Sequence, residues 1–146
     1  MHCKAGSPKI PKISKTMFIQ PSDIETIAND GSVNEFFSSL SDHPVPAEQV
    51  ILIRATFEAG EGHGFHYHDE REEFLYILEG EVEQWVDQEK KILKAGEAVF
   101  VPPGVVHATF NHGDTAAKLL AIFGNKNAEA ELAVDVASQE PWKSIR

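Results

Sequence analysis

From residue 49 onward, apolar positions arrive in short runs separated by turn-forming residues, a pattern that predicts strands. The runs are "QVILIRATFE", "GFHYH", "EFLYILEG", "EVEQWVD", "EAVFVP", "VVHATFN" and "KLLAIFG". Between them lie "AGEGHG", "DQEKK", "KAGE", "PPGV" and "NHGDTAA", rich in Gly, Pro, Asp or Lys. Short strands with turn signals every ~8–12 residues predict an all-β antiparallel sandwich or barrel. "EVEQWVDQEKKILKAG" predicts a hairpin about Gln88–Glu89. In "EFLYIL", Phe74, Tyr76 and Leu78 alternate with the equally apolar Leu75 and Ile77, so both faces of that strand are expected to be covered.

Upstream the pattern differs. "PSDIETIA" and "SVNEFFSSL" each place a Ser three positions before a Glu (Ser22/Glu25 and Ser32/Glu35), the capping-box spacing. They predict two short N-terminal helical turns, with Phe36, Phe37 and Leu40 packing on the core. "SDHPVPAE" then breaks the chain with two prolines. Lys4, Lys9, Lys12 and Lys15 mark residues 1–16 as a basic N-terminal arm, and residues 17–146 are expected to form one domain. The C-terminal "NAEAELAVDVASQEPWKSIR" fits either a short helix or an edge strand, with Trp142 as its anchor.

Composition narrows the function classes. A chain of 146 residues, 42% hydrophobic, suits a single core. A formal charge of −10 argues against nucleic acid or an anionic membrane surface as partner. No apolar run is long enough to span a bilayer, and "MHCKAGSPKIPKISKT" lacks the apolar stretch of a secretory signal. Cys3 alone forms no internal disulfide, so a cytoplasmic location is the expectation.

The chemistry concentrates in "GFHYHDEREEFLYILEG", residues 64–80. His66 and His68 are two apart and share one face of a strand. Asp69, Glu70, Glu72 and Glu73 follow, and any one of them could complete a metal site. Alternation within "EEFLYIL" does not choose between Glu72 and Glu73.

A wider frame surrounds the pair. Gly60, His66, His68, Glu73 and Gly80 satisfy G-x5-H-x-H-x4-E-x6-G over residues 60–80. Gly96, Pro102, Gly104, His107 and Asn111 satisfy G-x5-P-x-G-x2-H-x3-N over residues 96–111. Fifteen residues separate Gly80 from Gly96. In these two motifs the chain resembles the cupin superfamily, specifically its small single-domain members.

The resemblance implies a double-stranded β-helix, or jelly roll, with a metal inside the barrel. It implies His66, His68, Glu73 and His107 as ligands, Glu73 being selected by its distance to Gly80. Three imidazoles and a carboxylate suit one divalent ion of Fe, Mn, Ni, Cu or Zn. Four protein ligands on an octahedral ion would leave two positions for a small-molecule substrate or O₂. The leading expectation is therefore a metal-dependent, dioxygenase-type enzyme acting on a small organic molecule, with Glu73 as a possible base. A non-catalytic binding or sensing module, or an isomerase or epimerase, is the alternative. The resemblance also leads to expecting a homodimer, since pairing would cover exposed strand edges.

Other residues carry weaker expectations. His63 is placed at the pocket mouth, where it is either a substrate contact or a loop residue, and His112 is read as a turn residue. Asn111 is expected to hold a turn. Tyr67 points away from the ligands. Trp85 and Tyr76 belong to the core or an interface. Phe57, Leu75, Ile77, Phe100 and Phe123 could line an apolar pocket or the core, and Arg54 would meet an anionic substrate only if it faced inward.

Overall fold

The computed structural model describes residues 17–39, 43–128 and 130–146. The expected arm over residues 1–16 and the expected contact of Leu40 lie outside the described residues. Strands β1 (Glu25–Asn29), β2 (Ser32–Phe36), β3 (Ile51–Phe57), β5 (Glu73–Glu79), β8 (Ala98–Val101) and β10 (Ala117–Phe123) form one antiparallel sheet in the order β1-β2-β3-β10-β5-β8. Strands β4 (Gly62–Tyr67), β6 (Glu81–Val86), β7 (Glu89–Lys94), β9 (His107–Asn111) and β11 (Val134–Asp135) form a second, in the order β11-β4-β9-β6-β7. Sequential strands therefore cross repeatedly between sheets, as the expected double-stranded β-helix requires.

Period-two alternation builds the core. On β3, Ile51, Ile53, Ala55 and Phe57 are buried while Leu52, Arg54 and Thr56 face outward. β10 presents Ala117, Leu119, Ala121 and Phe123 inward, registered against them through Ile53↔Ala121 and Ala55↔Leu119. Leu75 and Ile77 of β5 and Val82 of β6 complete this cluster between the sheets. A second cluster of Phe65, Trp85, Ala108 and Val136 lies on the outer face of the five-stranded sheet. Tyr67 packs there, on the side of β4 opposite His66, as expected.

The C-terminal segment takes both forms that its sequence allowed. β11 pairs with β4 through Val134↔Tyr67, and a short helix α1 (Trp142–Ile145) packs Trp142 and Ile145 onto the second cluster. Arg146 fastens this end, donating to Glu83 at 2.9 Å with its guanidinium 3.6 Å from the Phe110 ring centroid.

Two expectations are corrected. The predicted pair of helical turns is a single 3₁₀ turn, Pro21–Asp23, closed by Gln20 and Asp23 rather than by Ser22. "SVNEF" is strand β2, because Asp30-Gly31 makes a two-residue hairpin turn that sets Asn29 opposite Ser32. Gly31 there has φ +73°, a conformation that glycine alone adopts at little cost. Glu35 is accordingly no capping residue: it lies across from Arg54 and accepts two hydrogen bonds from it, at 2.6 and 2.7 Å. The other hairpin turns at Asp87–Gln88, one residue earlier than expected, since Val86 pairs with Glu89. On β5 the face expected to meet the barrel interior is buried, and the face expected to meet a dimer or sheet contact is open in the single chain. Phe74, Tyr76 and Leu78 are 50%, 41% and 36% exposed in the single chain, and Phe100 of β8 stacks on Phe74 at 5.1 Å on that same outer face.

Between β10 and β11 the chain is held from inside by Arg71, which is only 1% exposed. Its guanidinium donates to the backbone carbonyls of Ala128, Ala130 and Glu131 at 2.9 Å each, and to Lys126 at 3.5 Å. Among the described residues no carboxylate pairs with it, so backbone dipoles alone solvate the charge. Replacing it by methionine keeps most of the volume but orphans several carbonyls. Arg71→Met is expected to cost at least ~2 kcal/mol in denaturant unfolding, since each buried unsatisfied group costs ~1–3 kcal/mol; an unchanged midpoint would contradict this account.

Candidate metal centre

The motif residues converge where the two sheets face each other. His66 and His107 are direct cross-strand partners on β4 and β9, with ring centroids 4.3 Å apart. His68 follows β4, its ring 4.9 Å from each of the other two. Glu73 opens β5 in the opposite sheet, paired to Phe123 on one side and Val101 on the other. One potential ligand atom from each of these four residues lies within 4.8 Å of all the others. They are the same four residues that the sequence resemblance implied as ligands, and together they could hold a metal ion.

Alternation along β5 makes the choice of carboxylate physical. Glu73 shares the inward face with Leu75 and Ile77, whereas Glu72 is exposed on the other face. Asp69 and Glu70 are exposed in the turn between β4 and β5.

Each imidazole is oriented by its second nitrogen. Nδ1 of His66 meets the Gly64 carbonyl at 2.6 Å, Nδ1 of His107 meets Val105 at 3.0 Å, and Nδ1 of His68 meets the Leu132 carbonyl. A carbonyl only accepts, so Nδ1 is the donor in all three rings, and each neutral ring so held turns an Nε2 lone pair inward. The fold supplies these partners from three different places: the irregularity in β4 between His63 and His66, the loop before β9, and the segment pinned by Arg71. Gly104, at φ +76°, donates its N–H to the His68 carbonyl at 2.9 Å and so ties the loop before His107 to the other ligand strand.

The inward atoms have no conventional partner. Glu73 Oε2 lies 2.7 Å from His107 Nε2 and 3.0 Å from His68 Nε2, yet none of the three makes a hydrogen bond of acceptable angle. Polar atoms so deeply buried are almost always satisfied. Atoms aimed at one common point, rather than at each other, fit a cation between them. Neutral imidazoles with one carboxylate are a donor set for a divalent transition ion.

Electrostatics agree. Burial opposes ionisation of Glu73, but the His107 and His68 imidazoles beside it outweigh that and lower its pKa from 4.5 to about 2. Burial and the neighbouring His107 ring lower His66 from 6.5 to about 3. His66 is thus neutral and Glu73 ionised at neutral pH, the protonation states that ligation needs of them.

A cavity of about 400 Å³ opens onto this centre. Phe57, Leu75 and Phe123 line it as expected, and the Phe123 ring stands 4.7 Å from that of His68. His66 is half-buried while His68, Glu73 and His107 are buried, so the cavity meets the centre on the His66 side. His63 lies at the mouth, solvent-exposed, with its ring 4.9 Å from Phe57; the surrounding walls lower its pKa.

The remaining candidates fall elsewhere. Ile77 is fully buried in the core, Phe100 is on the outer surface, and Arg54 faces away from the cavity in its pair with Glu35. Trp85 is buried in the outer cluster and donates to Glu83 at 2.6 Å, and Tyr76 is 41% exposed. Asn111 holds its turn, donating to Phe57 and Thr115 and accepting from Gly113 N–H at 2.9 Å, and His112 is exposed beside it.

Sequence reasoning missed three contributors. Asn34 reaches the cavity from β2, and the Asp-Gly at positions 30–31 was the signal that could have placed it. Asp135 of β11 lines the mouth beside Leu132 and Ala133. Arg71, embedded among acidic residues, gave no signal of burial.

Residues 53–123 match the Cupin domain family. An uncharacterized protein of Aquifex aeolicus is 35% identical over 104 residues, covering 69% of this chain and 80% of that one. The chain spans about half the length of another curated relative, polyketide synthase CurC of Streptomyces cyaneus, which is 35% identical over 52% of this chain and 49% of that one. Among solved structures, an RmlC-like cupin from Shewanella frigidimarina superposes with a TM-score of 0.61 at 24% identity, covering 76% of this chain and 92% of that one. Bacillus subtilis oxalate decarboxylase gives 0.65 at 20% identity, covering 74% of this chain and 29% of that one. Fold and site together define a barrel with a possible interior metal centre. The chain belongs to the cupin superfamily.

The depressed pKa values set a pH response. Folded His66 takes up its proton only near pH 3, while an unfolded histidine does so near 6.5. Between those values the unfolded state binds more protons, so stability rises with pH. Glu73 adds in the same direction between about pH 2 and 4.5. The melting temperature of metal-free protein is expected to fall as pH drops below about 6.5, and His66→Gln should remove part of that fall. Wild type and variant declining in parallel would contradict it.

Proposed function

We propose that this protein is a metal-dependent oxidoreductase of the dioxygenase type acting on a small organic molecule. The observation that carries the reading is the convergence of three imidazole Nε2 atoms and Glu73 Oε2 at the floor of an apolar cavity. Further support comes from the superposition on oxalate decarboxylase, whose structure is described in connection with Mn(II) centres.

An ion held by His66, His68, Glu73 and His107 would supply Lewis acidity and a template for substrate and O₂. O₂ is the oxidant, and both its atoms enter the product, so no external reductant is consumed. The chain's own residues do the rest. His68 and His107, with carbonyls fixing their Nδ1 protons, hold the geometry rigid. Phe57, Leu75 and Phe123 keep bulk water off the reacting atoms. Glu73, whose Oε2 faces the centre, is the group placed to accept a proton from an acidic substrate hydroxyl.

Protein loaded with Fe(II) or Mn(II) is expected to take up O₂ with at least one of a flavonol, a thiol, a β-diketone or an enediol. His107→Ala should lower both bound metal and uptake at least ~10–100-fold. Bound metal without O₂ uptake on any of these would overturn the oxygenase reading and leave a binding module. Metal content unaffected by His107→Ala would overturn the metal centre itself.

A further inference from the structure

The cavity carries a recognition pattern beyond its metal centre. Its described lining includes the apolar side chains of Ile53, Phe57, Leu119, Phe123 and Leu132 and two carboxylates, Glu73 and Asp135, but no Lys or Arg. Arg54, the cation nearest in sequence to this wall, faces outward on Glu35, and both terminal nitrogens of Arg71 donate to backbone carbonyls. A divalent ion on Glu73 would keep one net positive charge, and the exposed Asp135 adds a carboxylate at the mouth. A small dianion would then bring in two negative charges with no fixed cation to receive the second, between walls that solvate charge poorly.

Asn34 supplies a second, independent feature. Its side chain is 9% exposed and lines the cavity, and its Oδ1 has no hydrogen-bond partner. In the sheet Asn34 is set between Ile27 and Ala55. The orphaned atom is a carboxamide oxygen, which only accepts, so the ligand group that satisfies it is a donor such as a hydroxyl. An orphaned buried polar atom in an apolar cavity is a reason to look for the group that satisfies it.

Building on the metal-dependent reading above, we infer that the cavity binds a mostly apolar, uncharged molecule that chelates through two oxygens at one end and pairs with Asn34 through a second polar group, and that it discriminates against small dianions. Such a ligand loses at most one proton on binding. Its apolar body replaces water along the Phe57 and Phe123 wall, and its second polar group removes the unsatisfied Oδ1.

The test uses Mn(II)-loaded full chain and calorimetry with three kinds of probe: oxalate, 1-phenyl-1,3-butanedione, and the same diketone hydroxylated at each ring position in turn. The phenyl diketone is expected to bind at least ~10-fold tighter than oxalate, from burial of the ring. At least one hydroxylated form is expected to gain a further ~3–10-fold. Asn34→Leu should erase that gain while leaving the parent diketone within about twofold, which also reports that the variant is folded. Oxalate binding as tightly as the diketone, or a hydroxyl gain that survives Asn34→Leu or never arises, overturns the inference while the metal reading stands. A chain that takes up no Mn(II) overturns both.

Discussion

Everything in this barrel is arranged around the burial of one carboxylate. Glu73 is 3% exposed between two sheets whose facing surfaces carry Ile, Leu, Val, Ala and Phe beside a few buried polar residues such as Gln84 and Thr109. A lone carboxylate in such a place is costly unless a positive partner meets it. The imidazoles that meet it donate from Nδ1 to backbone carbonyls, which turns each Nε2 toward the carboxylate and leaves a lone pair there for a metal. Four electron-rich atoms facing each other make a hole for a cation, and the fold holds them there from outside.

That outside support is spread along the chain. The carbonyl for His66 comes from two residues upstream, and that for His107 from the loop tied by Gly104 to His68. The carbonyl for His68 comes from Leu132, over sixty residues away in sequence, just beyond the stretch clamped by Arg71. Arg71 thus links the turn after the ligand strand to the segment that bounds the cavity mouth. Ligand geometry and cavity closure depend on the same short stretch of chain.

The strands after residue 49 were legible because their apolar runs and turn residues keep a two-residue period. The four converging residues were legible for a different reason: their fixed distances to Gly60, Gly80, Gly96 and Asn111 match a recurring pattern. Local alternation failed at Glu72 and Glu73, since Phe74, Tyr76 and Leu78 are apolar yet lie on the open face. The N-terminal hairpin was misread because Ser32 and Glu35 have capping spacing, while the stronger Asp30-Gly31 turn signal sat one step earlier. Asn34 went unseen with it. Arg71 illustrates a limit of composition: among four acids it reads as surface, and only tertiary contacts with residues 126–131 reveal a buried clamp.

The central claim is that one buried carboxylate and three imidazoles share an ion. Metal content of Glu73→Gln beside Glu72→Gln, each purified and loaded identically, tests it most directly. The two changes are chemically the same and one residue apart, on opposite faces of β5. The account predicts that Glu72→Gln keeps the wild-type stoichiometry while Glu73→Gln loses most of its metal. Equal metal in both variants, or loss in Glu72→Gln alone, would contradict it.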